Sequence, residues 1–156
     1  MSENKTLLFI AHTPSPNLER LANAFIDGVT AAQCSNITII HSAPLDSVAD
    51  ELNQADAVVL LTPENLGYMA GALKDWFDRI YYPCLDTKQG LPMTSIIRAG
   101  HDGTGTHKAL STITTGLRWR WVQAPLICKG EWQDTWLEDV HDLGSAIAVG
   151  LSEGMI

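Results

Sequence analysis

The sequence predicts an open parallel β-sheet covered by helices on both faces, and three observations predict it. Five apolar runs recur along the chain, nearly continuous rather than alternating, as strands buried on both sides are. Segments of helical spacing separate them, so strand and helix take turns. The chain has 156 residues, enough for one domain with a real core, and it contains no linker, internal repeat or low-complexity tract. We therefore expect residues 1–156 to form a single domain.

The first run, Thr6–Ala11, leads into a helix whose inner face carries Leu18, Leu21, Ala22, Phe25 and Val29. The second run is Ile37–His41, followed by a short helix through Val48, Ala49 and Leu52. The third, Ala57–Thr62, precedes a helix marked by Leu73, Trp76, Phe77, Ile80 and Tyr81, with Lys74/Asp78 and Asp75/Arg79 at the four-residue spacing of helical ion pairs. The fourth run, Thr94–Ala99, is followed by a Thr-rich helix from about Thr106 to Leu117. The fifth, Leu126–Lys129, leads to a helix through Trp136, Leu137, Val140, Leu143, Ile147 and Leu151, with Asp134 or Thr135 as its N-cap. Right-handed crossovers among five such strands favour the spatial order 2-1-3-4-5. In sheets of this kind ligands sit outside the carboxyl ends of the strands, so the loops after strands one, three and four carry the chemistry.

The first of these loops reads AHTPSPNLERLANAF. Ser15 is placed as an N-cap and Pro16 at the first helical position. The exposed N–H groups of that helix start, with the side chains of Thr13, Ser15 and Asn17, make an anion cradle. It contains no lysine, and GxxxxGK[ST] is absent from the chain, so it is not a P-loop. The second loop, within TPENLGYMAGALKDWFDR, leaves a buried strand through Pro63 and reaches Gly67, a residue free to adopt backbone angles closed to others. Glu64, Asn65 and Leu66 lie between them, where backbone groups can meet the edge of a planar ring and Leu66 or Tyr68 can cover its face. The third loop, RAGHDGTGTHKA, leaves backbone bare at Gly100, Gly103 and Gly105 and lines the other edge of the same ring. An anion cradle beside two backbone-rich clamps fits a ligand with a phosphate tail and a flat polar ring, and FMN is the candidate.

These residues resemble the flavodoxin-like superfamily over almost the entire chain. TPENLGYMAGALKDWFDR is similar to the NADPH-dependent FMN reductases and flavodoxin-like quinone reductases, in which a Thr-Pro turn precedes a Gly and an Ala-Leu-Lys helix. AHTPSPNLERLANAF resembles the opening loop of the NAD(P)H:quinone reductase branch, which begins Ala-His-Pro. The resemblance implies a flavodoxin-like three-layer sandwich, with phosphate contacts from His12, Thr13, Ser15, Asn17 and Leu18. It also implies ring contacts from Pro63, Glu64, Asn65, Leu66 and Gly67 on one side and Ala99, Gly100, His101, Asp102 and Gly103 on the other. The sequence departs from relatives at Thr13 and Pro14, which replace the quinone reductases' proline and following residue, and at Leu66, where several relatives carry an aromatic ring. The short chain favours FMN over FAD. Relatives often form homodimers.

The reading expected from these features is an FMN-dependent oxidoreductase: hydride passes from NAD(P)H through flavin N5, and two electrons then go to a quinone or similar small acceptor. His101, whose ordinary pKa lies near neutrality, is the first candidate for a proton donor at the open face, and Tyr68 the second. A flavodoxin-type electron carrier is the alternative, with the acidic surface as its docking face. Six acids and one lysine lie between Lys129 and Ile156. A phospho-receiver domain shares the topology, but Thr62 and His12-Thr13 occupy the places its acids require. A Cys-x5-Arg phosphatase motif is absent.

The net charge of −8 argues against a nucleic-acid partner. No apolar run is long enough to span a bilayer, and the N-terminal MSENKTLLFIAHT lacks the basic start and long apolar stretch of a signal peptide, so a cytoplasmic protein is expected. Cys34, Cys84 and Cys128 are too scattered for a disulfide framework or a zinc site, and the five histidines form no ligand pattern, so no metal is expected. Trp132 and Trp136 are expected to anchor the last helix, and the RWRW of residues 118–121 to pack beneath the fourth helix or serve a subunit contact.

Overall fold

A computed structural model describes residues 3–156. Strand β1 (Lys5–Ala11) pairs in parallel with β2 (Ile37–Ser42) on one side and with β3 (Ala57–Asn65) on the other. Strand β3 pairs in parallel with β5 (Pro92–Ala99). The far edge of β5 is shared by two short parallel strands, β6 (Arg120–Trp121) at its beginning and β7 (Leu126–Lys129) at its end. The expected order thus holds, with the outermost position divided in two. Between β6 and β7 the chain passes through Gln123, Ala124 and Pro125, and Thr94 Oγ1 donates to Gln123 O at 3.1 Å. Proline has no N–H for a ladder, which is one reason a single continuous strand does not form there.

The apolar runs are continuous because both faces of the sheet are covered. In β1, Leu7, Phe9 and Ala11 face the core shared with α1 (Pro16–Ala31) and α5 (Thr135–Ser152), while Leu8 and Ile10 face the core shared with α3 (Gly71–Cys84) and α4 (Thr104–Leu117). Strand β3 repeats the pattern, with Ala57, Val59 and Leu61 on one side and Val58 and Leu60 on the other. Each such Leu or Phe, fully buried, contributes roughly 1.5–3 kcal/mol relative to exposure. The short α2 (Ala49–Asn53) adds Leu52 to the second core.

Helices α1 and α5 pack unusually close. A Cβ on Gly28 would collide with the backbone of His141, and one on Gly144 with the Phe25 carbonyl. Ser145 Oγ donates to Gly28 O at 2.7 Å across the same contact. On the other face, Trp76, Phe77 and Trp119 form an aromatic cluster with ring centroids 5.1–6.3 Å apart. The expected packing role of RWRW is thus met by Trp119, which is buried there, and by Trp121, whose Nε1 donates to Thr114 Oγ1 at 3.0 Å. The expected ion pairs form, Lys74 Nζ–Asp78 at 2.6 Å and Arg79 Nε–Asp75 at 2.8 Å. Arg79 also donates to the carbonyls of Ser47 and Pro44, pinning the loop after β2 to α3.

Among the described residues, no helix is long and apolar enough to cross a membrane. The three cysteines are free thiols, and burial pushes that of Cys128 up to about 11.

Candidate functional site

The strand ends meet at one rim. His12 N, just past β1, donates to Leu61 O at 3.0 Å, which ties the first loop to β3. Ser15 caps α1 as expected: its Oγ accepts from Leu18 N at 3.3 Å, and Pro16 opens the helix. Leu18 is buried beneath the cradle, Pro14 and Asn17 are exposed, and His12, Thr13 and Ser15 are half-buried. Burial lowers the His12 pKa, so near pH 7 the imidazole is neutral and the cradle offers dipoles rather than a full charge.

The loop after the third strand differs from the turn expected there. Strand β3 does not stop at Thr62 but runs through Pro63 to Asn65, reverses, and returns as β4 (Tyr68–Met69). Glu64 pairs with Met69 and Asn65 with Tyr68, so Leu66 and Gly67 form the whole of a two-residue hairpin loop. Their φ angles of 54° and 77° are both left-handed, the requirement of the primed hairpin turns. Glycine meets that requirement freely, but leucine does so at a cost of roughly 1–2 kcal/mol. The Leu66 side chain nevertheless stands wholly in solvent. The base of the hairpin is closed by buried Thr62, whose hydroxyl donates to Pro63 O at 2.8 Å and accepts from Ala70 N at 3.1 Å.

The hairpin rests on the start of α4. A Cβ on Gly105 would collide with the Gly67 carbonyl, so only glycine permits the approach seen there. The α4 N-cap is Gly103, which has no side chain to cap with. The caps come from elsewhere: Glu64 Oε2 accepts from Thr106 N at 3.0 Å, and Asp102 Oδ1 accepts from Thr104 N at 3.1 Å and from its hydroxyl at 2.9 Å. Those bonds from Thr104 hold the Asp102 carboxyl below the usual carboxylate range. The carboxylates of Glu64 and Asp102 are therefore committed to a helix terminus, and what they can offer a ligand is backbone. His101 is exposed in the bend before Asp102, and Gly100 faces open space.

Glu64 thus joins two loops that lie 42 residues apart in sequence. Replacing it by alanine removes a charged cap from α4 and releases the hairpin, at an expected cost of about 1–2 kcal/mol. Glutamine retains an oxygen acceptor, so Glu64→Gln is expected to recover most of that stability. Thermal melts of the two variants check this, and equal loss in both would show that the carboxylate's charge, not its geometry, matters.

The parallel pairing of β1, β3 and β5 puts the loops that carry His12, Thr13, Ser15, Asn17 and Leu18, residues 63–67 with Tyr68, and residues 99–103 at the carboxyl end of one sheet. Beside α1 the structure adds Arg20, and at the end of β5 Arg98, neither of which the sequence singled out, and it gives Trp132 and Asp134 partners that the sequence did not show. Arg20 Nη2 lies 3.3 Å from Asp134 Oδ1, and the guanidinium carbon lies 5.1 Å from the centre of the Trp132 ring. Trp132 Nε1 donates to the same Asp134 oxygen at 2.8 Å, and together Trp132 and Arg20 lower the Asp134 pKa. Asp134 is the N-cap residue of α5 by position, yet its side chain does not cap that helix. Arg98, at the end of β5, donates to the carbonyls of Ala99 and Cys128 and stacks over Trp136, which makes it a brace between β5 and β7. These partners are more than a hundred residues apart in places, and no spacing in the sequence signals them. A groove of about 640 Å³ runs between α1 and α5, but it is an open furrow above two helices whose backbones meet at Gly28 and Gly144.

The rim suits FMN by three features of this chain. The cradle's donors are neutral hydroxyl, amide and backbone groups at a helix start, able to take a phosphate. The two clamps present mostly backbone. Thr106, fully buried where hairpin and helix meet, has a hydroxyl with no partner among the described residues.

A family model described as NADPH-dependent FMN reductase matches residues 15–133. No curated protein matches the chain in sequence. Among solved structures, a flavodoxin from the domain Archaea is similar with a TM-score of 0.78 and 17% identity, covering 94% of this chain and 98% of that one. A flavodoxin, WrbA-like protein from Agrobacterium tumefaciens follows with a TM-score of 0.72, 16% identity, and coverage of 97% and 99%. The rubredoxin oxygen:oxidoreductase of Desulfovibrio gigas has a TM-score of 0.75 and 16% identity; the likeness covers 99% of this chain but 37% of that one. At such identities these structures speak for the flavodoxin-like fold.

Proposed function

The chain belongs to the NADPH-dependent FMN reductase family, and on that premise we propose that it is a single-domain flavoenzyme. It holds FMN at the carboxyl rim, takes reducing equivalents from NAD(P)H and passes them to a quinone or similar small acceptor. The observation that carries this reading is the hairpin braced on α4: Glu64 on Thr106 and Gly67 against Gly105 hold two backbone clamps at a fixed separation beside the α1 cradle.

When bound, FMN supplies the redox chemistry, accepting hydride and releasing electrons. The protein binds, orients and protonates. The hydroxyls of Thr13 and Ser15, the Asn17 amide and the remaining helix-start N–H groups would hold the phosphate, with His12 and Leu18 lining the cradle and Leu18 N–H taken by Ser15 Oγ. Pro63, Glu64, Asn65, Leu66 and Gly67 on one side and Ala99, Gly100, His101, Asp102 and Gly103 on the other supply backbone groups to the ring. Leu66 covers apolar surface. His101, exposed at the mouth, is the first candidate proton donor, and Tyr68, partly exposed beside the turn, offers a hydroxyl.

Steady-state oxidation of NADPH or NADH by the FMN-loaded protein with a quinone tests the reading. Turnover without any added reductase is the expected result. Reduction only when a separate reductase is supplied would make the protein an electron carrier instead.

A further inference from the structure

Asn17 lies in the first turn of α1, and a primary amide presents its NH2 to a ligand only if its oxygen is turned elsewhere. The group that faces that oxygen is Arg20, whose Nη1 donates to Asn17 Oδ1 at 3.3 Å. Long side chains on a helix lean back toward its N-terminus, which brings the guanidinium over the first turn. It is held there from two further sides, by Asp134 Oδ1 at 3.3 Å and by the Trp132 face at 5.1 Å, while Trp132 Nε1 fixes the Asp134 carboxylate at 2.8 Å. The Arg20 and Asp134 side chains are 46% and 79% exposed, so the ion pair alone is worth little. Three contacts on one planar group are what orient it. A guanidinium carries donors only, so it admits the amide oxygen and rejects the NH2.

We propose that Arg20 is a positioning residue that turns the Asn17 amide, leaving its NH2 free to donate to the phosphate of FMN. The proposal rests on the FMN reading of the rim. Arg20 acts through Asn17 rather than by its own charge, and the Trp132–Asp134 pair that holds its guanidinium is the rest of the device. This gives Trp132 a task beyond anchoring α5.

The test is a cycle of dissociation constants for FMN and for riboflavin, which lacks the phosphate, measured by flavin fluorescence on the wild type, Asn17→Ala, Arg20→Met and the double variant. Methionine keeps helix propensity and an apolar stem against Trp132. Each single change is expected to weaken FMN by about tenfold or more, the lower end of the range for a hydrogen bond to a charged group. The double variant is expected to be no weaker than the poorer single. Riboflavin binding is expected to stay level throughout, and Arg20→Lys to recover part of the loss, since an ammonium can donate to the same oxygen. The proposal is overturned if the two losses multiply, if riboflavin weakens as much as FMN, or if Arg20→Met leaves FMN binding unchanged. A wild type that binds neither flavin would remove the underlying FMN reading, an outcome distinct from these three.

Discussion

Gly105→Ala is expected to cost at least tenfold in FMN affinity together with roughly 1–3 kcal/mol of stability, the range for forcing atoms into a packed contact. The added methyl would lie less than 3.0 Å from the Gly67 carbonyl, a backbone atom that cannot rotate aside. Either α4 or the hairpin must shift. The hairpin is the softer of the two, because its turn already holds Leu66 left-handed at φ 54°. Its movement would pull Glu64 from Thr106 N and open the gap between the two clamps. Gly67→Ala is the comparison for stability alone. Its Cβ would meet nothing within 4 Å, so it carries only the cost of a left-handed alanine, roughly 1–2 kcal/mol. Isothermal titration with FMN and thermal melts of both variants separate the effects. Equal affinities for Gly105→Ala and wild type would mean that the brace does not set the clamp.

Gly28→Ala is expected to do the reverse, lowering stability while sparing affinity. A Cβ at residue 28 would run into the His141 backbone, so α1 and α5 would have to part. Phe25, Val29, Val140 and Leu143 belong to the core beneath that contact, and all would lose packing. A loss of about 1–3 kcal/mol follows, which for a chain of this size is a fall of several degrees in Tm. Gly144, pressed on the Phe25 carbonyl, belongs to the same contact. The double variant Gly28→Ala/Gly144→Ala is therefore expected to lose less than the sum of the singles, since the first change already separates the helices. The folded fraction should bind FMN within about twofold of wild type, because Gly28 lies about two helical turns along α1 from Arg20 and the cradle. A large affinity loss with unchanged Tm would contradict this division of labour between helix crossing and rim.

Periodicity made the layers legible. Residues such as Leu7 and Leu8, or Val58 and Val59, are adjacent in sequence and buried on opposite faces, and that produces unbroken apolar runs. The hairpin at Leu66–Gly67 was not legible as a hairpin. Its usual marker is Asn-Gly in the two loop positions, and here a leucine stands in the first of them with Asn65 one residue too early. The split outer strand was half legible: Leu126–Lys129 reads as a strand, while Arg120–Trp121 is too short to carry a pattern. Loop residues were identifiable by type, but the tasks of Glu64 and Asp102 were not. Both are carboxylates near a ligand rim by sequence position, and only the distances to Thr106 N and Thr104 N assign them to helix capping. The Arg20–Asp134 contact spans 114 residues and leaves no local trace.

The most direct test of the rim is a titration of the purified protein with FMN and with riboflavin, followed by flavin absorbance and fluorescence. Saturable binding of FMN at one per chain, with a perturbed flavin spectrum and weaker riboflavin binding, is the expected result. A signal that rises linearly through micromolar FMN, with the spectrum of free flavin throughout, would contradict the account and leave only the fold.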